Sequence, residues 1–345
     1  MEKVGDFTEG QLIQQIIAII GQWGNDLMSG SDDAVAIPGS PNPNHALVIN
    51  TDMLVGSTDI PQQMTLFQAA RKAVVMACSD VLVKGAVPQW ATVSLGVPAT
   101  LPLKSDHGFN GLIRGLKEGF DHFGVEYLGG DLSQTQDIII NITCMGYLER
   151  DRIIHRSGAQ PGDLIYTSGE YGLTGLGFHF MLNSAVKMPP NFDFKACEQA
   201  VLNPITPLGL GPALAAQRIV QASADSSDGL IKTLAEIANA SHVGILIDWV
   251  KIPIHPSVTE FAKLTGEDIK DFVLSGGEEF HHIFIVPPEH QGIVEKQFSN
   301  QLKQIGIIVE KSEGFQVRLT KNSYLPFSNI KSGYDHFTFA INNKK

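Results

Sequence analysis

The chain has 345 residues, 43% of them hydrophobic and 18% charged, with a formal net charge of −11. That length fits two domains of ordinary size, each with a substantial core, and the 34 glycines and 18 prolines are dispersed, as in a loop-rich α/β protein rather than a disordered or fibrous one. The acidic balance and the lack of a basic stripe argue against nucleic acid as a partner, but leave phosphate ligands open wherever metal ions invert the local field.

In chain order, Thr8 to Gly21 reads as a helix, with Thr8 and Gln11 as a capping box and isoleucines at 13, 16, 17 and 20 on one face. Ser29 to Asp33 is turn-like. His45 to Asn50 is a short buried strand that ends at Thr51-Asp52. Leu66 to Lys84 is a long helix, with Gly85 suited to its C-terminal cap. Trp90 to Val97 is a strand. Ser105 to Phe123 is a helix with Ser105 or Asp106 as N-cap. Val125 to Leu128 and Asp137 to Leu148 are strands around a Gly129-Gly130-Asp131 loop. The charged run Glu149-Arg150-Asp151-Arg152 marks a change of regime near residue 150.

Beyond it, Gln160-Pro161-Gly162-Asp163 is a turn leading into a strand over Leu164 to Thr167. Gly172 to Leu182, Pro207 to Ala222 and Asp228 to Ala240 read as helices, and Gly244 to Asp248 and His282 to Val286 as strands. Strands and helices mixed in both halves predict an α/β (α+β) protein of two domains, 1–150 and 151–345. No short-period repeat or low-complexity tract interrupts them.

Cys78, Cys144 and Cys197 lie far apart in apolar surroundings with no metal-ligand spacing, so zinc is not expected and buried free thiols are. The start lacks a charged segment followed by an apolar one, and the run Ile16 to Ile20 is too short to span a bilayer. A cytoplasmic protein without membrane contact is the expectation.

The functional signal is a set of aspartates in small-residue settings: Asp32-Asp33, Asn50-Thr51-Asp52, Ser79-Asp80, Gly129-Gly130-Asp131 and Asp225-Ser226-Ser227-Asp228-Gly229. Each has an ordinary reading as a turn, hairpin or helix cap. Asp80 interrupts an apolar helix and needs a partner: a cap-like bond, an ion pair with Arg71 or Lys72, or a metal. Carboxylates brought together from several segments repel unless cations sit between them. Gly276-Gly277-Glu278-Glu279 resembles a lip that touches a ligand, while His281 and His282 point to opposite faces of a strand and receive no role. The chain carries no phosphate-binding G-x-x-x-x-G-K-[ST] loop, kinase H-R-D signature, dinucleotide fingerprint or G-x-S-x-G elbow.

Taken in order, SDDAV (31–35), NTDMLV (50–55), ARKAVVMACSDVLVKGAVP (70–88), LGGD (128–131), RSGAQPGD (156–163), DSSDGL (225–230), SGGEEF (275–280) and GYDHF (333–337) resemble the thiamine-monophosphate kinases of the aminoimidazole-ribonucleotide-synthetase-like ATP-binding superfamily. The resemblance implies an N-terminal mixed sheet with helices that pairs across a homodimer in a shared β-barrel, and a C-terminal α/β layer. It implies direct transfer of the γ-phosphoryl group of ATP to thiamine monophosphate. It also implies several Mg²⁺ ions held by Asp33, Thr51, Asp52, Asp80, Asp131, Asp225 and Asp228, with Asn50 offering a further oxygen. Gly130, Asp131, Arg156 and Ser227 fall near ATP.

Departures fall on the acceptor side. Asp59 stands where the family carries a histidine, Lys331 near its ring-covering aromatic, and GGEEFH where it has GGEDYE, so Asp59, Glu278 and Lys331 are the candidate acceptor contacts. Ser31 replaces the opening glycine of GDD. The alternatives are a same-fold kinase or synthetase acting on another small phosphorylated acceptor, and a non-catalytic nucleotide-binding relative.

Overall fold

A computed structural model describes residues 7, 8, 11, 27, 33–38, 42–183, 185–331 and 333. Thr8 and Gln11 make the reciprocal bonds of the expected capping box. Most of the helix that follows, the 29–32 turn and the terminal string after Gly333 lie outside the described residues.

Five strands form the first sheet: β1 (Val35–Pro38), β2 (His45–Val55), β3 (Trp90–Val97), β4 (Glu126–Gln134) and β5 (Ile139–Glu149), in the order β1-β2-β5-β3-β4. All neighbours are antiparallel except β3 and β4. The sheet is open. Along β5 alternate residues are buried, the pattern of a sheet with one covered face. The cover is α2 (Leu66–Val83) and α3 (Phe109–Phe123), which follow the short α1 (Gly56–Asp59).

Thr65 and Gln68 cap α2 reciprocally, and the helix is apolar nearly all round. Such a helix is buried on every side. Here it lies between the first sheet and the second half of the chain. Gly211 reaches it so closely that a Cβ there would sit 2.0 Å from the Leu82 carbonyl oxygen.

Seven strands make the second sheet: β6 (Leu164–Thr167), β7 (Ala222–Asp225), β8 (Gly244–Asp248), β9 (His282–Val286), β10 (Lys303–Val309), β11 (Phe315–Thr320) and β12 (Ser323–Pro326), ordered β12-β11-β8-β10-β6-β9-β7. Ile165, Ile245, Ile283 and Ile285 face one core, built with α4 (Leu173–Met181), α5 (Lys195–Leu202), α7 (Leu230–Ser241), α8 (Pro256–Thr265) and α9 (Lys270–Ser275). Leu164, Tyr166, Phe284 and Val286 face another, with α6 (Leu210–Gln217), α10 (Gln291–Gln297) and Val83 of α2. The layered α/β half expected after residue 150 is present.

Strands over 90–97, 164–167, 244–248 and 282–286 have the bounds read from the sequence, but four readings change. Strand β2 continues through Thr51 and Asp52 to Val55, because the alternation of apolar residues resumes at Leu54. Helix α3 begins at Phe109 rather than Ser105, which has a φ of 99° outside the helical region. Gly129-Gly130-Asp131 lies inside β4 and is not a loop: the register slips beside it, and Gly130 passes so near β3 that a Cβ would meet the Val93 carbonyl oxygen at 1.7 Å. The helix expected over 207–222 stops at Gln217, where Arg218 turns left-handed, and the chain enters β7.

Candidate active site

The junction between the halves gathers the aspartates. Asn50, Asp52 and Leu54 share the helix-covered face of β2. The Asn50 amide Nδ2 donates to Asp52 Oδ2 at 3.0 Å and to Asp80 Oδ2 at 2.7 Å. Asp80 stands in the last turn of α2, at the negative end of the helix dipole. Arg71 and Lys72 are not its partners: Arg71 pairs with Glu118 and Lys72 with Glu278.

From the other side, β7 delivers Asp225 at its C-terminal end. Ser79 Oγ donates to Asp225 Oδ2 at 2.6 Å, and Ser227 Oγ to Oδ1 at 2.9 Å. Asp228 is not the cap of α7, whose N-cap is Gly229; its carboxylate accepts from Lys232 at 2.6 Å. Asp33 completes the group, paired with Lys84 at 2.6 Å and with Arg156. Arg156 also reaches Glu236 at 3.6 Å.

The electrostatics follow from this crowding. Burial, then the charges of Asp225, Asp52 and Asp33, push the Asp80 carboxyl well above the carboxylate range. Burial raises Asp52 too, although hydrogen bonds from Asn50 and Asp80 work against it. Asp225 is pushed up to about 7 by burial and by Asp33. Burial pushes Asp33 up as well, but the Arg156 and Lys84 charges outweigh it and hold this carboxyl below its ordinary value.

Behind Asp225 runs a buried polar relay that sequence reasoning did not find. Thr206 Oγ1 donates to Ser79 Oγ at 3.2 Å and lies 2.9 Å from His282 Nε2. Both hydroxyl protons are committed toward Asp225, so Nε2 carries the imidazole proton and Nδ1 is a bare acceptor, buried without a hydrogen-bond partner among the described residues. Burial, with the His281 charge adding to it, pushes His282 down to about 3, so the ring is neutral. Thr206→Val is expected to lower stability by about 1–3 kcal/mol, because two buried groups lose a partner; thermal unfolding with no change would remove the relay.

Two predicted ligands lie apart. The Thr51 side chain is on the opposite, uncovered face, 2.9 Å from Thr143 Oγ1. Asp131 shares that face with Ser94 and Asn141, is exposed, and accepts from Ser133. The reason is the two-residue period of a strand, which sends neighbours to opposite faces.

The acceptor-side calls are partly joined. Lys72 is wholly buried, and its Nζ binds both Glu278 carboxylate oxygens, at 2.7 and 2.8 Å, and the Asp59 carbonyl at 2.8 Å. The Asp59 carboxylate accepts from the Val55 backbone N–H at 2.7 Å. Glu278 has a φ of 60° and Phe280 of 50°, and such backbone persists where the surroundings impose it. Here the imposing contacts are the Lys72 pair and a 2.5 Å bond from Glu278 N to the Ser227 carbonyl. Lys331 is exposed, and its carbonyl accepts from Ser275.

The buried lysines and His282 were the residues missed. A lysine in an apolar run such as Val81-Leu82-Val83-Lys84 is a legible signal, because lysine is almost never fully buried unless paired.

The N-terminal domain of AIR synthase related protein matches residues 30–148, and its C-terminal domain matches 160–318. The thiamine-monophosphate kinase of Nitrosopumilus maritimus is 32% identical over 292 residues, 84% of this chain and 89% of that protein. That of Pyrococcus horikoshii is 35% identical over 274 residues, 79% and 81% of the two chains. The crystal structure of thiamine monophosphate kinase from Aquifex aeolicus superposes with a TM-score of 0.75 at 25% identity, covering 92% of this chain and 98% of that one. AaThiL complexed with AMPPCP and TMP has the same fold, with a TM-score of 0.79 at 24% identity over 97% and 99% of the two chains. The chain belongs to the thiamine-monophosphate kinase family of AIR synthase related proteins.

Proposed function

We infer that this protein transfers the γ-phosphoryl group of ATP to thiamine monophosphate with the help of several magnesium ions. The observation that carries this reading is the meeting of Asp52, Asp80 and Asp225 at one buried junction, each pushed up by burial and by neighbouring carboxylates. Among the described residues no three acidic or histidine side chains form a ready-made cage; Asn50 and Ser79 tether the carboxylates individually. Such an all-oxygen set fits magnesium, which keeps part of its water and shares carboxylates between ions. The ions supply charge neutralisation and alignment of the reacting phosphates.

The chain's own residues divide the remaining work. Asp52, Ile142, Val93 and Gly130 pair directly across four strands, so Gly130 lies about 14 Å from Asp52, a span matched by an extended nucleoside triphosphate. Beside Gly130 and Asp131 opens a cavity of about 500 Å³ walled by Phe109, Ile113, Phe120, Tyr127 and Leu132. Aromatic and aliphatic walls suit a nucleobase. Arg156 and the Ser227 turn before the N-terminus of α7 stand at the phosphate end. Transfer then rests on positioning and charge, with no covalent enzyme nucleophile.

The active form is a homodimer in which a second copy covers the bare face of the first sheet and closes a barrel. The exposed edge strand β4 and Met53, more than half exposed on the bare face, support this; a monomer at assay concentration in sedimentation would remove it. The domain division falls at 150, and the compartment is the cytoplasm. No helix of the described residues is long and apolar enough to cross a membrane.

One observation favours a different phosphorylated acceptor: the Asp59 carboxylate is closed onto Val55 and Glu278 is tied to Lys72. ADP release from Mg-ATP, measured with thiamine monophosphate, thiamine and other phosphorylated heterocycles, decides between them. ADP formation with thiamine monophosphate is expected. Release with another acceptor alone would move the assignment, and nucleotide binding without release would leave a non-catalytic relative.

A further inference from the structure

The Lys84 side chain is wholly buried, yet the transfer chemistry described above assigns it nothing. Its Nζ lies 2.6 Å from Asp33 Oδ2 and donates to the Ser223 carbonyl at 2.6 Å. Arg156 holds the other oxygen of Asp33, whose side chain is 6% exposed. Both oxygens of this carboxylate are therefore met by cations that belong to the protein. Asp52, Asp80 and Asp225 differ: hydrogen bonds from neutral Asn50, Ser79 and Ser227 reach them, and no protein cation is paired with them among the described residues.

Geometry fixes the lysine in this role. Lys84 is the C-cap of α2, where a cation complements the helix dipole. Its Nζ donates to the Ser223 carbonyl of β7, so the ammonium joins the first half of the chain to the strand that delivers Asp225. An ammonium in contact with Oδ2 occupies the position that an ion would take on that oxygen.

We propose that Lys84 is a resident counter-cation of the phosphoryl-transfer site, taking at Asp33 the place of one divalent ion. Asp33 is then a positioning residue rather than a metal ligand, and the shared ions gather on Asp52, Asp80, Asp225 and Asp228. This rests on the magnesium reading of the same site.

The test counts ions and does not depend on turnover. Mn²⁺ binding is measured by the loss of the free-ion paramagnetic resonance signal, with a non-hydrolysable ATP analogue present, for the unaltered protein, Lys84→Met and Lys84→Arg. Lys84→Met is expected to bind one more ion than the unaltered chain, since Asp33 Oδ2 loses its ammonium, and Lys84→Arg the same number. Equal counts in all three would overturn the proposal. If the unaltered protein bound no Mn²⁺, the magnesium reading itself would fail, a separate outcome. Should Lys84→Met not fold, the pair Asp33→Asn with Lys84→Met removes both charges. That variant is expected to fold and to keep the original count, and an additional ion there would overturn the proposal.

Discussion

Asp80→Asn is expected to lower kcat by ~10³-fold or more while raising the stability of the metal-free protein. The two directions have one cause. Asp80 is crowded by Asp52, Asp225 and Asp33 and sits at the negative end of α2, so its carboxylate is unfavourable until cations arrive. Asparagine keeps the shape and the contact with Asn50 but removes the charge. Without divalent ions the variant should therefore unfold later, by about 1 kcal/mol or more, since each unit of pKa displacement corresponds to about 1.4 kcal/mol. With them it loses a ligand that no neighbour replaces, and losing a central charge-stabilising contact in phosphoryl transfer costs several kcal/mol of barrier. Single-turnover ADP formation and thermal unfolding without metal measure the two effects on one sample. Near-normal turnover would sink the shared-ion site, and lost turnover with lost stability would recast Asp80 as a folding residue.

How much of this was legible in the sequence depended on which force placed each residue. Strands with apolar runs bounded by turns, such as Leu164–Thr167 and His282–Val286, were found with their limits, because burial on both faces writes a continuous apolar signal. Asp80 was legible as a charge inside an apolar helix. The faces were harder. Thr51 and Asp52 are neighbours in one motif, yet the pleat sends Asp52 to the carboxylates and Thr51 to Thr143. A motif string does not show that division; the register of β2 against β5 does.

The relay from His282 through Thr206 and Ser79 to Asp225 joins four distant segments by hydrogen bonds, and no local period announces such a network. The same holds for Lys72 and Glu278, which are 206 residues apart. Gly129-Gly130 carried a correct signal with the wrong geometry: the glycines do allow close approach, but to β3 inside a sheet rather than within a loop.

Acidity should couple stability and metal binding in opposite senses. Asp225 titrates near 7 in the folded chain against an ordinary 3.8, so between those values the native state binds more protons than the unfolded one. Where the native state holds the extra proton, stability falls as pH rises. The Asp225 contribution is thus fully present below about pH 4 and lost by pH 7, an upper bound of about 4 kcal/mol, and the raised carboxyls of Asp80 and Asp52 act in the same direction. Asp33 acts oppositely, because its lowered carboxyl contributes stability above its unfolded value that is lost as pH falls through the folded one. A divalent ion binds the carboxylate and not the acid, so it competes with the proton over the same window. The rise in unfolding temperature on adding Mg²⁺ should be small at pH 5.5, grow through pH 7 and level off above it. Asp225→Asn should flatten that curve and make the metal-free protein less sensitive to pH between 5 and 7. A magnesium-induced rise of equal size at pH 5.5 and 7.5 would mean that Asp225 keeps its proton, or never meets the ion, and would remove it from the ligand set.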